Sequence, residues 1–201
     1  MKESKRWTII NYLIKINNYE DYLEIGSGFP KKNKTRNFDA IVCKNKDGVD
    51  PKGYCGYEMT SDEFFKKNNK KYDIIFIDGL HLEEQVDKDI VNSLNCLKTN
   101  GTIVIHDCNP KLEDSQKEKK PTRRPEGGIS PWNGTVWKSF AKLRITRNDL
   151  EMCVIDKDYG LGIIKKGRQK CFPQIDNLTY EFLDKNRKEL LNLATIPQFL
   201  K

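Results

Sequence analysis

The sequence of 201 residues lacks features that would place it in a secreted or membrane class. It has no run of about 18 apolar residues, which a membrane-spanning helix needs. No apolar segment follows the charged stretch from Met1 to Arg6, so we predict no signal peptide. Its six cysteines form no CxxC pair and lie mostly within apolar segments, which favours reduced core thiols over a disulfide framework. We therefore expect a cytoplasmic protein without a membrane segment.

The charge of the chain is high but spread along its length. Charged residues make up 32% of the sequence, and the formal net charge is +7. The lysine clusters fall mostly in segments with loop character, without the interleaved aromatic residues on which nucleic acid bases stack. This pattern favours a solvated basic surface over a nucleic acid groove. The 37% of hydrophobic residues suffice for one packed domain, which we place at residues 1–201.

The spacing of apolar residues predicts alternating strands and helices. The helical segments are predicted within residues 1–18, from Thr60, and at 82–97, 132–144 and 178–193. The strands are predicted at 22–25, 72–77, 102–105, 150–155 and 159–164, with another ending at Asp50. The apolar pattern stops between positions 108 and 131, which predicts a long loop. Together these elements predict an α/β fold with a doubly wound, mostly parallel sheet, helices on both faces and a C-terminal antiparallel hairpin.

Both histidines of the chain lie near aspartates at the ends of predicted strands. Asp78 and His81 follow the strand at 72–77, and His106 and Asp107 follow the strand at 102–105. A third strand leads into the tight turn Gly26-Ser27-Gly28, and Asp50 ends a fourth. Because ligands of open α/β sheets bind at the carboxyl ends of the strands, we predict a shared ligand crevice.

These motifs resemble the ordered motifs of class I S-adenosylmethionine-dependent methyltransferases, which have a Rossmann-like fold. The segments that carry the resemblance are Tyr22 to Gly28, Gly48 to Pro51, Phe76 to His81 and Val104 to Pro110. With Trp132 to Trp137, they are most similar to small sugar O-methyltransferases found beside or fused to glycosyltransferases. The lysine- and asparagine-rich composition also resembles the carboxyl-terminal methyltransferase part of a large-virus glycosyltransferase, which would place the protein in the host cytoplasm. One departure is Phe29-Pro30-Lys31-Lys32, where many relatives have another small residue and a helix start.

The resemblance implies a cofactor, an acceptor and a site for each. S-adenosylmethionine would be bound by a set of residues at the strand ends, which are Glu24, Gly26, Ser27, Gly28, Asp50, Ser61, Asp62 and Asp78. The acceptor would be a sugar hydroxyl, as on a deoxyhexose such as rhamnose, with a glycosyltransferase as a partner or a neighbouring domain. Aromatic faces and amides suit sugar rings, so we assign to the acceptor His81, Asn109, Trp132 and Asn133.

An alcohol acceptor needs help to lose its proton, because it scarcely ionises at neutral pH. The candidate catalytic residues are Asp78, His81, His106 and Asp107. His81 is our first choice as the base, with His106 or Asp107 as rivals. By resemblance, Asp78 and Asp107 would hold a divalent cation such as Mg²⁺ or Mn²⁺. The imidazole of His106 in place of an oxygen ligand weakens the case for Mg²⁺ and favours a softer ion or no metal.

Three alternatives remain open at this point. An RNA or other small-molecule methyltransferase would fit the same cofactor motifs. An NAD-dependent oxidoreductase would also place an acid at the end of its second strand, but it expects GxGxxG, and position 31 is lysine. A cofactor-binding module without turnover is the third alternative.

Overall fold

The computed structural model describes residues 5–28, 36–53, 55–120 and 131–199. The strands of these residues form one sheet in the order β3-β2-β1-β4-β5-β7-β6-β8. Strand β7 is antiparallel to its neighbours β5 and β6, and the other pairs are parallel. The strands are β1 (Asp21–Ile25), β2 (Asn45–Val49), β3 (Gly56–Tyr57), β4 (Tyr72–Ile77), β5 (Leu97–Ile105), β6 (Leu150–Ile155), β7 (Leu161–Lys166) and β8 (Leu193–Ala194). The predicted fold class is therefore confirmed.

Helices cover both faces of this sheet. They are α1 (Arg6–Asn17), α2 (Asn37–Ala40), α3 (Ser61–Lys67), α4 (Glu83–Cys96), α5 (Val136–Thr146), α6 (Tyr180–Leu190) and α7 (Ile196–Phe199). Thr60 begins α3 as predicted, because its side chain and that of Glu63 form a reciprocal capping box. Within the described ranges, no helix combines the length and apolarity needed to cross a bilayer.

The central strands bury both of their faces, which explains their nearly continuous apolar sequences. In β4, Ile75 and Ile77 belong to the core that also contains residues of α4, α5 and α6. The alternate residues Ile74 and Phe76 belong to a second core beneath α1. The period of two in strand side chains thus divides one apolar run between two hydrophobic layers.

The parallel strands end in register, and this positions the site. Ile25 pairs with both Val49 and Ile77, and Ile77 pairs with Ile105. The residues that follow these four strand ends therefore lie along a single edge of the sheet, as predicted. At this edge the chain leaves the strands with Gly26, Asp50, Asp78 and His106.

Several predicted boundaries were wrong for local reasons. Helix α5 begins at Val136 rather than Trp132, because Gly134 has a φ of +60° that no α-helix accommodates. Strand β7 begins at Leu161 rather than Tyr159, whose φ is +64°. The predicted helix at 178–193 ends at Leu190 and is followed by β8.

The remaining differences concern β5 and two segments that cannot be compared. Strand β5 starts at Leu97, so Asn100 and Gly101 lie within it, next to a register shift in its pairing with β4. In the predicted loop at 108–131, residues Glu113–Gln116 form a short 3₁₀-helix. Positions 121–130 of that loop and positions 29–32 lie outside the described residues.

Candidate active site

The turn after β1 depends on a glycine that approaches the backbone of β4. Gly26 has a φ of +84°, and a Cβ at this position would lie 2.2 Å from the carbonyl oxygen of Asp78. The amide of Gly26 donates to the carbonyl of Val49 at 2.8 Å. A side chain at position 26 would therefore force apart the ends of β1 and β4. Because no side chain covers the backbone at Gly26, a ligand can approach the backbone of this turn.

Beside this turn lies an opening that we call the strand-end cavity, with a volume of about 630 Å³. Predicted cofactor residues that line it are Gly26, Gly28, Asp50, Ser61, Asp62 and Asp78. The Asp50 carboxylate is held in place because one oxygen accepts from the amide of Gly28 at 3.0 Å and the other from the amide of Lys52 at 2.8 Å. The volume is within the usual range for small-molecule sites.

Two predicted cofactor residues do not line the strand-end cavity. The Glu24 side chain is buried and accepts hydrogen bonds from the hydroxyl of Tyr22 and the amide of Asn37. Ser27 is also buried, and its hydroxyl has no partner among the described residues. Burial raises the pKa of Glu24 to about 7, against the lowering effect of the Tyr22 and Asn37 hydrogen bonds. The side chains of Glu24 and Ser27 thus lie behind the cavity wall, and their assignment to the cofactor stays a prediction.

Sequence reasoning missed Gln85, which lines the strand-end cavity from the first turns of α4. Its side-chain amide donates to the Ser61 hydroxyl at 3.1 Å, to Asp62 at 3.0 Å and to Asp89 at 3.1 Å. Gln85 thus fixes the start of α3 against α4. A glutamine in the polar part of a helix gives no sequence signal for such a role.

All four predicted catalytic residues meet at the cavity border and form what we call the histidine–aspartate cluster: Asp78, His81, His106 and Asp107. His81 lies between the two carboxylates, with Nε2 at 3.3 Å from Asp78 and Nδ1 at 3.2 Å from Asp107. His106 Nδ1 lies 3.1 Å from Asp78 and 3.2 Å from Asp107. Because Asp78 also lines the strand-end cavity, the cluster and the cavity adjoin.

Two residues that the sequence analysis missed complete the cluster on its far side. Arg6, the first residue of α1, places Nη2 at 3.5 Å from Asp78 and Nη1 at 3.2 Å from His106 Nε2. Asp158, in the turn between β6 and β7, accepts from the backbone amide of Arg6 at 3.1 Å. Arg6 therefore covers Nε2 of His106 and only 7% of this residue is exposed, which leaves His81 as the more accessible imidazole. A lone basic residue near an N-terminus carries no pattern that would predict this contact.

The charges of the cluster shift the pKa values of its members. Burial raises the pKa of Asp78, but the adjacent His106, His81 and Arg6 outweigh burial and hold the pKa below its ordinary value. Burial likewise opposes ionisation of Asp158, whereas His106 and Arg6 lower its pKa to about 2. Burial lowers the pKa of His81, and its contact with Asp78 more than reverses this. The site therefore maintains a closely balanced set of opposite charges.

The predicted acceptor residues have different environments. The Trp132 ring stacks on His81 with centroids 5.0 Å apart, and it remains partly exposed. Asn133 is 1% exposed and donates its side-chain amide to Asp107 at 2.6 Å. Asn109 is fully buried and is bonded to Asp156 and Arg187. Both asparagines are buried, whereas Trp132 and His81 are partly exposed, and the assignment of all four to the acceptor stays a prediction.

The same cluster offers a set of donors for a metal ion. Asp78, His81 and Asp107 each present one ligand atom, and these atoms lie within 4.8 Å of one another. Two carboxylates and one imidazole suit a divalent ion of intermediate softness, such as Mn²⁺, better than Mg²⁺, which prefers oxygen ligands.

The comparison with family models agrees with this arrangement. Residues 12–108 match the model of a methyltransferase domain. This range begins in α1 and ends just after β5, so it includes Gly26, Asp50, Asp78 and Asp107. Among proteins with curated descriptions, none matches the sequence significantly.

Solved structures share the fold over most of the chain. A Staphylococcus aureus protein assigned as a caffeoyl-CoA O-methyltransferase has a TM-score of 0.55 at 18% identity, with 83% of this chain and 85% of that chain covered. The O-methyltransferase TomG from Streptomyces achromogenes, in complex with SAM, has a TM-score of 0.52 at 9% identity, with coverage of 81% and 79%. The MycE methyltransferase of the mycinamycin pathway, in complex with Mg, SAH and mycinamycin VI, has a TM-score of 0.51 at 15% identity, with coverage of 84% and 51%. Residues 12–108 thus match the model of a methyltransferase domain, and the chain shares the fold of these O-methyltransferase structures.

Proposed function

We propose that this protein transfers the methyl group of S-adenosylmethionine to a hydroxyl oxygen of a saccharide. The observation that carries the proposal is the position of Asp78, which lines the strand-end cavity and also contacts both histidines. A cofactor in the cavity would therefore present its methyl group next to the only two imidazoles of the chain. This arrangement supplies proximity and orientation, which account for much of the catalysis in group transfer.

The strand-end cavity has suitable groups for each part of the cofactor. The preoriented carboxylate of Asp50 suits the two ribose hydroxyls, as an acid at the end of the second strand does in dinucleotide-binding folds. Ser61 and Asp62 line the part of the cavity that would take the adenine. The backbone of Gly26 and Gly28 would face the methionine portion, because no side chain there blocks its approach.

The histidine–aspartate cluster provides a base for the acceptor hydroxyl. His81 Nε2 is the ring nitrogen on the side of Asp78 and the cavity, and Nδ1 faces Asp107. In the reaction, the acceptor oxygen forms a bond to the methyl carbon as the carbon–sulfur bond breaks. The electron pair of that bond stays on sulfur and S-adenosylhomocysteine leaves. The hydroxyl proton passes to Nε2 of His81 in the neutral form of the ring, whose single proton is then on Nδ1 beside Asp107.

The three residues that could hold a divalent cation, Asp78, His81 and Asp107, belong to this same cluster. When bound, such a cation would supply Lewis acidity that lowers the pKa of the acceptor hydroxyl. The protein also brings its own positive charge to Asp78 through Arg6 and His106. We propose that these side chains balance the two carboxylates during the reaction, so that His81 remains available as the base.

The saccharide assignment is supported by exposed apolar side chains beside the histidine–aspartate cluster. Leu80, Trp132 and Tyr159 expose apolar surface beside the cluster, with Leu80 53% and Tyr159 45% exposed. Rings of this kind suit the CH faces of sugars, and the polar cluster between them suits one hydroxyl. A glycosyltransferase, as a partner or neighbouring domain, would supply such an acceptor.

Methyl-labelled S-adenosylmethionine, incubated with the protein and separate panels of saccharides, phenols and RNA, tests the proposal. We expect label in a saccharide as an ether that is stable to mild base, with S-adenosylhomocysteine as the coproduct. Label found only in phenols or RNA would contradict the saccharide assignment. Calorimetry gives an independent result, since binding of NAD without binding of S-adenosylmethionine would overturn the whole proposal.

A further inference from the structure

The four residues Trp132–Thr135, which precede α5, contact both strand ends that carry the histidine–aspartate cluster. We call them the brace segment. They lie about 25 to 50 positions from His81 and Asp107 along the chain, and they are not part of any helix or strand. Their contacts hold His81 and Asp107 in place, a role that the reaction described above does not include.

One set of contacts holds His81. The amide of Thr135 donates to the carbonyl of His81 at 3.0 Å, and the ring of Trp132 covers the imidazole at an interplanar angle of 16°. Gly134, with a φ of +60°, lies so close that a Cβ there would be 1.9 Å from the same carbonyl. The hydroxyl of Thr135 also accepts from the amide of Glu83 at 2.7 Å, at the start of α4. Both the backbone and the ring of His81 are thereby fixed.

The second set of contacts holds Asp107. The side-chain amide of Asn133 donates to Oδ1 of Asp107 at 2.6 Å, and Oδ2 is the oxygen that faces His81 Nδ1 at 3.2 Å. Asp107 has a φ of +62°, which is uncommon for a residue other than glycine and needs support from its surroundings. Asn133 is 1% exposed, so its amide cannot turn to water instead.

The brace segment is itself anchored by the 3₁₀-helix Glu113–Gln116. The carbonyl of Ser115 accepts from the amide of Asn133 at 2.8 Å and from the amide of Gly134 at 3.0 Å. The indole of Trp132 donates to the carbonyl of Lys117 at 2.8 Å. Asn133 is thus held on its backbone side while its side chain holds Asp107.

We infer that Asn133 is a positioning residue for methyl transfer: it orients Asp107, whose Oδ2 lies 3.2 Å from Nδ1 of both His81 and His106 and places a negative charge between the two imidazoles. His81 Nδ1 makes no hydrogen bond among the described residues, so Asp107 acts on His81 through its charge. The inference rests on the proposed function in its kinetic consequence, but the state of the His81 ring can be measured without any acceptor. In the described part of the chain, the hydrogen bonds of Asn133 go to Asp107 and Ser115 and none goes to a residue that lines the cavity, so we expect cofactor binding not to depend on it.

Asn133→Asp tests this inference, because it keeps the shape of the side chain but replaces the donor with an acceptor. We expect kcat to fall about 10- to 100-fold, as for loss of a buried charge-assisted hydrogen bond, with no matching rise in KM for S-adenosylmethionine. Asn133→Ala should give a similar loss of kcat. The matched control is Asn11→Ala, which removes a partly buried asparagine whose side chain is bonded to Ala40 and Val42, outside the cavity and the cluster.

Nitrogen NMR gives a readout that is independent of turnover. The chain has only two histidines, so ¹⁵N-labelled histidine yields two imidazoles, which His106→Gln assigns. We expect Asn133→Asp to move the Nδ1 signal of His81 and Asn11→Ala to leave it in place. Equal losses of kcat in Asn133→Asp and Asn11→Ala, or an unmoved His81 signal, would overturn the inference. If wild-type protein methylates no acceptor, the proposed function fails, and the NMR result still decides the positioning role.

Discussion

The strand-end cavity and the histidine–aspartate cluster share Asp78 but differ in how they are built. The cavity is formed by turns that directly follow β1, β2 and β4, and its key contacts involve backbone atoms of Gly26, Gly28 and Lys52. The cluster is a network of charged side chains that is completed by Arg6 and Asn133 from distant segments. The form of the cavity therefore depends on the backbone of its turns, whereas the cluster depends on the orientation of side chains. Changes in one region should leave the function of the other measurable.

The sharpest separation of the two regions is expected from His81→Ala. Removal of the proposed base should lower kcat by about 10²- to 10⁴-fold, the usual contribution of general base catalysis. The affinity for S-adenosylmethionine should change much less than kcat, because His81 does not line the cavity and is connected to it through Asp78. Calorimetry of the variant with the cofactor, together with steady-state kinetics, measures both quantities. An equal loss of cofactor affinity would show that the two regions are not separable.

The converse separation is expected from a matched pair of glycine substitutions in the cavity. Gly26→Ala places a Cβ 2.2 Å from the carbonyl of Asp78, so we expect loss of cofactor affinity and a lower free energy of unfolding. In Gly28→Ala, the nearest atom to the new Cβ among the described residues, apart from the chain neighbours, lies at 4.0 Å. We therefore expect Gly28→Ala to lower the free energy of unfolding only through its positive φ, by about 1 to 2 kcal/mol. Similar thermal shifts and cofactor affinities for both variants would contradict the close approach at Gly26.

A smaller effect is expected behind the cavity, where Glu24 is buried. Its pKa is raised to about 7 from an ordinary value of 4.5. Between these values the folded protein keeps a proton that the unfolded chain loses, so the free energy of unfolding falls as pH rises through this window. The total loss is about 3 kcal/mol, reached above pH 7.

Glu24→Gln removes this titration while retaining a carbonyl that accepts from Tyr22 and Asn37. Relative to wild type, the variant should therefore gain stability between pH 5 and pH 8, as measured by urea unfolding at each pH. A difference between the two proteins that does not change with pH would contradict the raised pKa.

The smallest effect is expected from chelation. Because Arg6 and His106 already place positive charge beside Asp78, we expect a chelator such as EDTA to leave kcat unchanged. The measurement compares activity after EDTA with activity after addition of Mn²⁺ or Mg²⁺. Loss of activity with EDTA, restored by Mn²⁺, would instead assign Asp78, His81 and Asp107 to a metal site.

The sequence predicted the cavity far better than the environment of the cluster. Gly26, Asp50 and Asp62 could be found because each follows or opens a regular element, where local rules fix its position. The buried partners of Asn109 and Asn133 could not be predicted, because an asparagine in a loop has the same local signal whether it contacts a ligand or another buried side chain. The environment that distinguishes them is set by neighbours far along the chain.

The sequence by itself determined the alternation of strands and helices, the single edge at which the strand ends meet, and the pairing of each histidine with an aspartate. These follow from short-range periodicity and from the register of parallel strands. Only the tertiary structure decided that Arg6 meets Asp158 across 152 positions and that Asn133 meets Asp107. Such contacts depend on how α1 and the loop before α5 pack against the finished sheet, and local sequence carries no information about that packing.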